Sequence, residues 1–191
     1  MGAYSPEQAY FSDTILIWHP WRDSFFMPDF VRTCSEGFCG ALEIGLHLRG
    51  TISFGAADMD NARRIYFGSP LVEAVEVEGA QKWVGVSIGP SVARPPFNNR
   101  IWPHGLIPYE AHYKIEFRRK LPGLVVDWPL VWRMEAGRGD AREVLRDLNA
   151  DPTFAEYYER SIEFVDYSER NVGWEKRLAV RGDSVGTAPV P

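Results

Sequence analysis

The spacing of hydrophobic and polar positions changes along the chain, and each change predicts a secondary-structure element. Over residues 27–46 the apolar side chains recur every three or four positions, which predicts an amphipathic helix. Over residues 48–54 the spacing drops to two, which predicts a strand with Arg49 and Thr51 on its polar face. Residues 9–18 resemble a β-hairpin, with Ser12-Asp13 at the turn.

Residues 57–88 are predicted to form a hairpin, a helix and a strand. Residues 57–64 form a polar loop, and residues 65–67 pair back onto the preceding strand. Ser69-Pro70 is a helix-start signal, because a hydroxyl can cap the first turn and proline suits the first helical position. The helix extends to about Lys82, and residues 83–88 alternate as a strand.

The second half of the chain is predicted to hold two strands and two helices. A loop rich in proline covers residues 89–108. Alternating patterns then predict strands over 111–119 and 124–128. The last predicted elements are helices over 141–149 and 152–169.

These elements suggest a division of the chain into three parts. A polar break at 137–140 separates a domain over residues 1–136 from a C-terminal helical extension over 137–176. Residues 177–191 have the composition of a flexible tail.

Length, composition and charge restrict the possible functions. One domain is the usual expectation for 191 residues, and 45% hydrophobic residues are enough for one core. A net charge of −5 gives no support for a surface that binds nucleic acid or anionic membrane. We find no signal peptide and no apolar run that could span a membrane, so we expect a cytoplasmic protein without stable membrane association.

Common site motifs are not found. The four histidines and two cysteines lack the spacing of a zinc site. Cys34 and Cys39 point in different directions on the predicted helix, so we expect no disulfide between them. Walker loops, dinucleotide fingerprints and nucleophile elbows are also missing.

Asp13 is the first candidate for chemistry. Its carboxylate at a hairpin turn could bind Mn²⁺ or Mg²⁺, with phosphate oxygens and water completing the coordination. Tyr10 and Thr14 flank it and could contact a base or a phosphate. The structural alternatives are that aspartate hydrogen-bonds its own backbone at turns, and that Tyr10 packs on a sheet.

Arg49 is the second candidate. It lies on the polar face of its predicted strand and is followed by Gly50. Arginine binds phosphate oxygens through two N–H groups, and glycine allows a ligand to approach the backbone. The alternative is a salt bridge across the sheet.

Several segments, in their order along the chain, resemble the catalytic domain of class III nucleotidyl cyclases. FSDTILI resembles the family's metal-aspartate hairpin, LRGTISFG its glycine-containing strand, and FGSPLVEAVEVE its glycine-to-helix element. LVVDWP resembles a late strand of the bacterial anti-phage pyrimidine cyclases of Pycsar systems, which are the closest likeness. The resemblance covers residues 9–129.

Departures from the purine cyclases affect the expected substrate. Their purine-selecting lysine and aspartate are replaced by Ala9 and Ile65, which disfavours ATP and GTP. The segment YFSDT is similar to the Pycsar-type pattern, which favours a pyrimidine. The asparagine and arginine that stabilise the transition state in purine cyclases fall on Val72 and Glu76. No Asp-x-x-Gly-Phe strand, which carries the first metal aspartate in the family, precedes Tyr10.

The resemblance implies a ferredoxin-like α+β cyclase fold, with a largely antiparallel sheet and helices on one face, in a head-to-tail homodimer. The implied reaction converts UTP or CTP to the 3′,5′-cyclic monophosphate and pyrophosphate, as a second messenger in anti-phage defence. Asp13 would hold Mn²⁺ or Mg²⁺, and Arg49 would be catalytic by binding the phosphates. The remaining substrate-binding residues would be Tyr10, Phe11, Ser12, Thr14 and Gly50.

Two other hypotheses stay open. One is a cyclase-homology domain without turnover that binds nucleotide or only dimerises, since the first metal-aspartate motif is missing. The other is an unrelated α+β binding domain whose motifs match by chance.

Overall fold

The computed structural model describes residues 6–20, 27–93, 105–149 and 151–174. Its helices are α1 Met27–Glu43, α2 Ser69–Gly79, α3 Trp128–Met134, α4 Ala141–Leu148 and α5 Ala155–Arg170. Its strands are β1 Glu7–Phe11, β2 Thr14–Trp18, β3 Arg49–Ile52, β4 Ala57–Asp60, β5 Ile65–Gly68, β6 Gly85–Ile88, β7 Leu106–Pro108 and β8 Leu124–Val126. Short 3₁₀ turns occupy Ile115–Phe117 and Pro152–Phe154.

Four strands form one sheet in the order β3-β6-β8-β7, and two hairpins, β1–β2 and β4–β5, form separate sheets. Strands β3 and β6 are parallel, with Gly50 opposite Val86, while the other pairs are antiparallel. The predicted α+β class, with mostly antiparallel pairing and C-terminal helices, is confirmed. No helix of the described residues is both long and apolar enough to cross a membrane.

One hydrophobic core joins the sheet to the helices of both halves of the chain. Phe38 of α1, Trp128 of α3, Leu145 of α4 and Phe164 of α5 are all buried in the same cluster as Ile88 of β6. The proposed boundary near residue 136 therefore separates elements that share a core.

The predicted helix over 27–46 forms, but it ends three residues early. Gly45 has a φ of +83°, which glycine adopts without steric cost. The Leu46 N–H donates to the Ala41 carbonyl at 2.8 Å and the Gly45 N–H to the Leu42 carbonyl at 3.1 Å, which closes the helix in a Schellman motif. Leu46 is consequently exposed, although the periodicity placed it on the buried face.

The prediction of a loop over 57–64 was wrong, as was the pairing of residues 65–67 with the preceding strand. Residues 57–60 form β4, which pairs with β5. Ser69 does not cap α2, because the N-cap is Gly68 and no side chain bonds the first turn. Gly68 has a φ of +150°, and a Cβ there would lie 2.5 Å from the Ala56 carbonyl oxygen. The helix ends at Gly79 rather than near Lys82.

Predictions for residues 89–134 needed the largest corrections. The predicted strand over 111–119 is instead a turn region with a 3₁₀ turn, joined to the fold by an isolated bridge between Gln81 and Tyr113. The end of the predicted loop forms β7, and the strand over 124–128 ends at Val126. Helix α3 begins at Trp128 because the Asp127 carboxylate accepts a hydrogen bond from the Leu130 N–H. The tail prediction and residues 94–104 of the loop lie outside the described residues.

Candidate functional site

The predicted hairpin with Ser12-Asp13 at its turn is present. Strands β1 and β2 pair in antiparallel register from Glu7–Trp18 to Phe11–Thr14. Ser12 adopts a φ of +53°, a left-handed conformation that is uncommon outside glycine, asparagine and aspartate. Asp13 is exposed, and the Thr14 hydroxyl donates to its Oδ1 at 3.4 Å. The carboxylate therefore keeps most of its acceptor capacity for a ligand.

Tyr10 and Thr14 lie on opposite faces of the hairpin. Tyr10 is paired with Ile15, whereas Thr14 is paired with Phe11, and successive pairs alternate between faces. Tyr10 is 67% exposed and Ile15 is 41% exposed, so the Tyr10 face is open. One planar base stacked on Tyr10 would not reach the Thr14 hydroxyl from the same side.

The hairpin is attached at its base to the β4–β5 hairpin. The Trp18 ring packs against Tyr66 with 5.8 Å between centroids. The Asn61 side chain donates to Glu7 at 3.4 Å, and Ala9 is buried. These contacts lie away from the turn, so they hold the hairpin while leaving Asp13 accessible.

Arg49 is engaged by other side chains of its own chain. Its Nη2 lies 2.5 Å from Glu78 Oε1 on α2, and its guanidinium carbon lies 5.2 Å from the centre of the Tyr157 ring on α5. The structural alternative of a salt bridge is therefore present, although the partner lies on a helix rather than across the sheet. Arg49 would bind phosphate only by exchanging the Glu78 carboxylate for phosphate oxygen.

Gly50 is the second residue of β3. Its carbonyl accepts a hydrogen bond from Gln81 Nε2 at 3.0 Å. A Cβ at this position would meet only Val86 Cγ2, at 3.9 Å. Packing within the described chain therefore does not require glycine here.

Asp13 fits a divalent cation as a single ligand. Among the described residues, no three His, Cys, Asp or Glu side chains lie close enough together to form a metal-binding group. An exposed carboxylate still supplies one hard oxygen, and nucleotide phosphates and water supply the rest in many Mg²⁺ sites.

A partly buried set of hydrogen-bonded polar residues, for which the sequence predicted no role, connects α3 to α5. The Ser168 hydroxyl donates to Asp127 Oδ1 at 2.6 Å, and Arg133 Nη2 donates to the same hydroxyl at 3.0 Å. The sequence signal was Asp-Trp-Pro at 127–129, an acidic cap followed by proline in the first turn. These contacts account for Asp127 as a capping and positioning residue.

A cavity of about 340 Å³ lies between α3, α4 and α5. Two of its three arginines already have acidic partners, while the third, Arg133, donates to the Ser168 hydroxyl. Arg142 contacts Asp140, Asp166 and Glu169, and Arg138 contacts Glu43 and Glu135. Because these carboxylates neutralise Arg138 and Arg142 and leave only Arg133 to attract an anion, the cavity is a poor site for phosphate.

His112 is a buried histidine enclosed by aromatic rings. Its ring centre lies 4.7 Å from that of Trp83 and 3.8 Å from that of Tyr113. Within the described part of the chain neither ring nitrogen has a partner in normal hydrogen-bond geometry, and a weaker interaction with the Tyr109 backbone acts to raise the pKa of His112. Burial lowers the pKa of His112 to about 3, so it is neutral in the folded protein.

No family model, curated protein or solved structure matches this chain. The likeness to nucleotidyl cyclases therefore depends on the quoted motifs and their order.

Proposed function

We propose that this chain is a pyrimidine nucleotide cyclase, which converts UTP or CTP to the 3′,5′-cyclic monophosphate and pyrophosphate. The observation that carries the proposal is the β1–β2 hairpin, which presents Asp13 in solvent with Tyr10 and Thr14 on either side. A carboxylate with few internal contacts is suited to bind an external cation. The product would serve as a second messenger in anti-phage defence, as the resemblance implies.

In the proposed reaction the ribose 3′-oxygen attacks the α-phosphorus in line. The bond from that phosphorus to the bridging oxygen breaks, pyrophosphate leaves with the electron pair, and the 3′-hydroxyl proton passes to solvent. A bound Mn²⁺ or Mg²⁺ would lower the pKa of the 3′-hydroxyl and neutralise phosphate charge. Asp13 would hold the cation, and Tyr10 would offer its exposed ring to the base.

Arg49 would act from the sheet rather than from the hairpin. We find no hydrogen bond or ion pair between Arg49 and the hairpin in the described residues. The resemblance implies sites shared between two copies, so Arg49 of a second copy would approach the phosphates. That arrangement requires Arg49 to release Glu78, because the carboxylate and a phosphate would compete for the same guanidinium N–H groups.

The first experiment incubates the purified protein with each nucleoside triphosphate and Mn²⁺ and identifies products by mass spectrometry. We expect cyclic UMP or cyclic CMP from the unmutated chain and none from Asp13→Ala. Asp58→Ala is the matched control, because Asp58 is an exposed aspartate on the neighbouring hairpin and should leave turnover unchanged. Equal turnover in Asp13→Ala and Asp58→Ala would contradict the metal-binding role of Asp13.

The second candidate is a cyclase-homology domain that binds pyrimidine nucleotides without turnover. The ion pair between Arg49 and Glu78 favours it, because the cation expected at the phosphates is already neutralised. Nucleotide binding by calorimetry without any cyclic product would favour this candidate. If the protein neither binds nucleotide nor forms a cyclic product, both candidate functions are contradicted.

A further inference from the structure

The two outer edges of the four-stranded sheet differ in how they are protected. On the β7 edge, Pro108 has no backbone N–H, and the Leu106 carbonyl accepts a hydrogen bond from Trp174 Nε1 at 3.0 Å. A proline and a capped carbonyl prevent another strand from pairing there. The β7 edge is therefore closed.

The β3 edge carries backbone groups that point away from the sheet. The Gly85 N–H donates to the Leu48 carbonyl at 3.1 Å, and the Gly89 N–H donates to the Ile52 carbonyl at 2.8 Å. Since alternate residues of a strand direct their backbone groups to the same neighbour, those of Arg49 and Thr51 face outward. Within the described ranges β6 is the only strand paired with β3.

Arg49 does not guard this edge with its charge. A charged side chain on an edge strand usually opposes the addition of another strand. Here the guanidinium turns toward α2 and α5, where Glu78 neutralises it and Tyr157 lies 5.2 Å from its central carbon. Arg49 is exposed and Thr51 is half-buried, and among the described residues we find no hydrogen bond to the outward backbone groups of either residue.

We propose that the β3 strands of two copies pair in antiparallel fashion across a two-fold axis, which joins the two four-stranded sheets. Placing Gly50 opposite Gly50 of the second copy sets Arg49 opposite Thr51, so that the outward groups of each pair exchange two hydrogen bonds. The same register sets Leu48 opposite Ile52. Both lie on the face that packs against the core, so the pairing extends an existing apolar face.

Glycine at the centre of this register makes the close approach possible. Residues opposite each other without mutual hydrogen bonds have Cα atoms about 4.5 Å apart, the closer of the two antiparallel spacings. Two glycines meet there without side chains in contact. A strand of four residues gives a small interface, so the dimer should form reversibly as the protein concentration rises.

A cysteine cross-link tests the register directly. In Gly50→Cys the paired Cα atoms would lie about 4.5 Å apart, within the range of about 4.4–6.8 Å that a disulfide spans. The new Cβ fits, because its nearest neighbour is Val86 Cγ2 at 3.9 Å. We expect this variant to form a covalent dimer under mild oxidation, measured by non-reducing electrophoresis and intact mass.

Ser53→Cys is the matched control, since the same register separates the two copies of residue 53 by six residues, or about 20 Å. The unmutated chain controls for Cys34 and Cys39. In the unmutated chain, exchange of the Arg49 and Thr51 amide hydrogens should slow as protein concentration rises. Gly50→Cys that cross-links no more than Ser53→Cys, or exchange that is independent of concentration, would overturn the proposal. Neither readout involves nucleotide, so the result is independent of the proposed function.

Discussion

The aromatic core around Trp83 and the hairpin tip around Asp13 differ in how strongly neighbouring residues determine each side chain. Trp83 is fully buried, its indole N–H donates to Gln81 Oε1 at 2.7 Å, and its ring meets Phe164 edge-on at 4.8 Å. Asp13 is exposed, and the described chain offers it one hydrogen bond of 3.4 Å, longer than the usual distance between oxygens. Packing fixes the position of the Trp83 side chain, whereas contacts within the described chain do little to fix the position of the Asp13 side chain.

This difference separates structural effects from effects on a ligand. A substitution in the core changes the free energy of unfolding first, and any loss of activity then follows from unfolding. A substitution at the hairpin tip should leave that free energy almost unchanged. A change in nucleotide binding caused at the tip can therefore be assigned to contact with the ligand.

The largest expected effect is that of Trp83→Ala. Removing a fully buried tryptophan leaves a cavity and strands the Gln81 side chain, so we expect a loss of about 3–5 kcal/mol in the free energy of unfolding. Tyr10→Ala is the comparison, and because Tyr10 is exposed its cost should be within about 0.5 kcal/mol. Urea unfolding followed by circular dichroism measures both. Similar losses in the free energy of unfolding would show that the hairpin tip contributes to stability as much as the core does, which would contradict the comparison.

The next effect concerns pH and His112. The folded-state pKa is lowered to about 3 by burial, while the unfolded chain keeps the ordinary value of 6.5. Below pH 6.5 the unfolded state therefore binds a proton that the folded state does not, and stability is lost as pH falls toward 3. The loss approaches about 1.4 kcal/mol per pH unit.

His112→Phe should remove this contribution while keeping a ring among Trp83 and Tyr113. Between pH 6 and pH 5 we expect the unmutated chain to lose about 1 kcal/mol more than the variant. Carboxylates titrate in both proteins and cancel in the difference. Parallel stability curves would show that His112 is not held neutral by burial.

Local sequence signals predicted the elements whose causes are also local. The β1–β2 hairpin forms with its predicted turn at Ser12-Asp13, and α4 and α5 form where the two C-terminal helices were predicted. The end of α1 was missed because Gly45 acts as a left-handed C-cap within a continuous apolar pattern. Helix α3 was missed although Asp127 and Pro129 provide a recognisable start, because the strand pattern was continued to Trp128 and no element was predicted after Pro129.

Tertiary contacts limited the prediction of the candidate site. Arg49 was correctly placed on the polar face of its strand, but the partner Glu78 comes from a helix that crosses over between β3 and β6. The opposite faces of Tyr10 and Thr14 depend on the register of the hairpin, which the sequence pattern did not specify. The candidate residues could therefore be identified from the sequence, whereas the residues that contact them could be identified only from the structure.

The smallest expected effect is that of Glu78→Gln. This variant tests whether Arg49 has a structural role, like Trp83 in the core, or binds the ligand, as proposed for Asp13 in the hairpin. The ion pair is partly exposed, with about a third of each side chain accessible, so its loss should cost at most about 1 kcal/mol of stability. If Arg49 binds phosphate, removing the competing carboxylate should raise the affinity for UTP or CTP a few-fold, measured by calorimetry. Glu143→Gln on α4 removes an equal charge from an exposed position outside the candidate site and should leave affinity unchanged. Equal affinities in the two variants would show that Arg49 does not bind phosphate and that, like Trp83, it has a structural role.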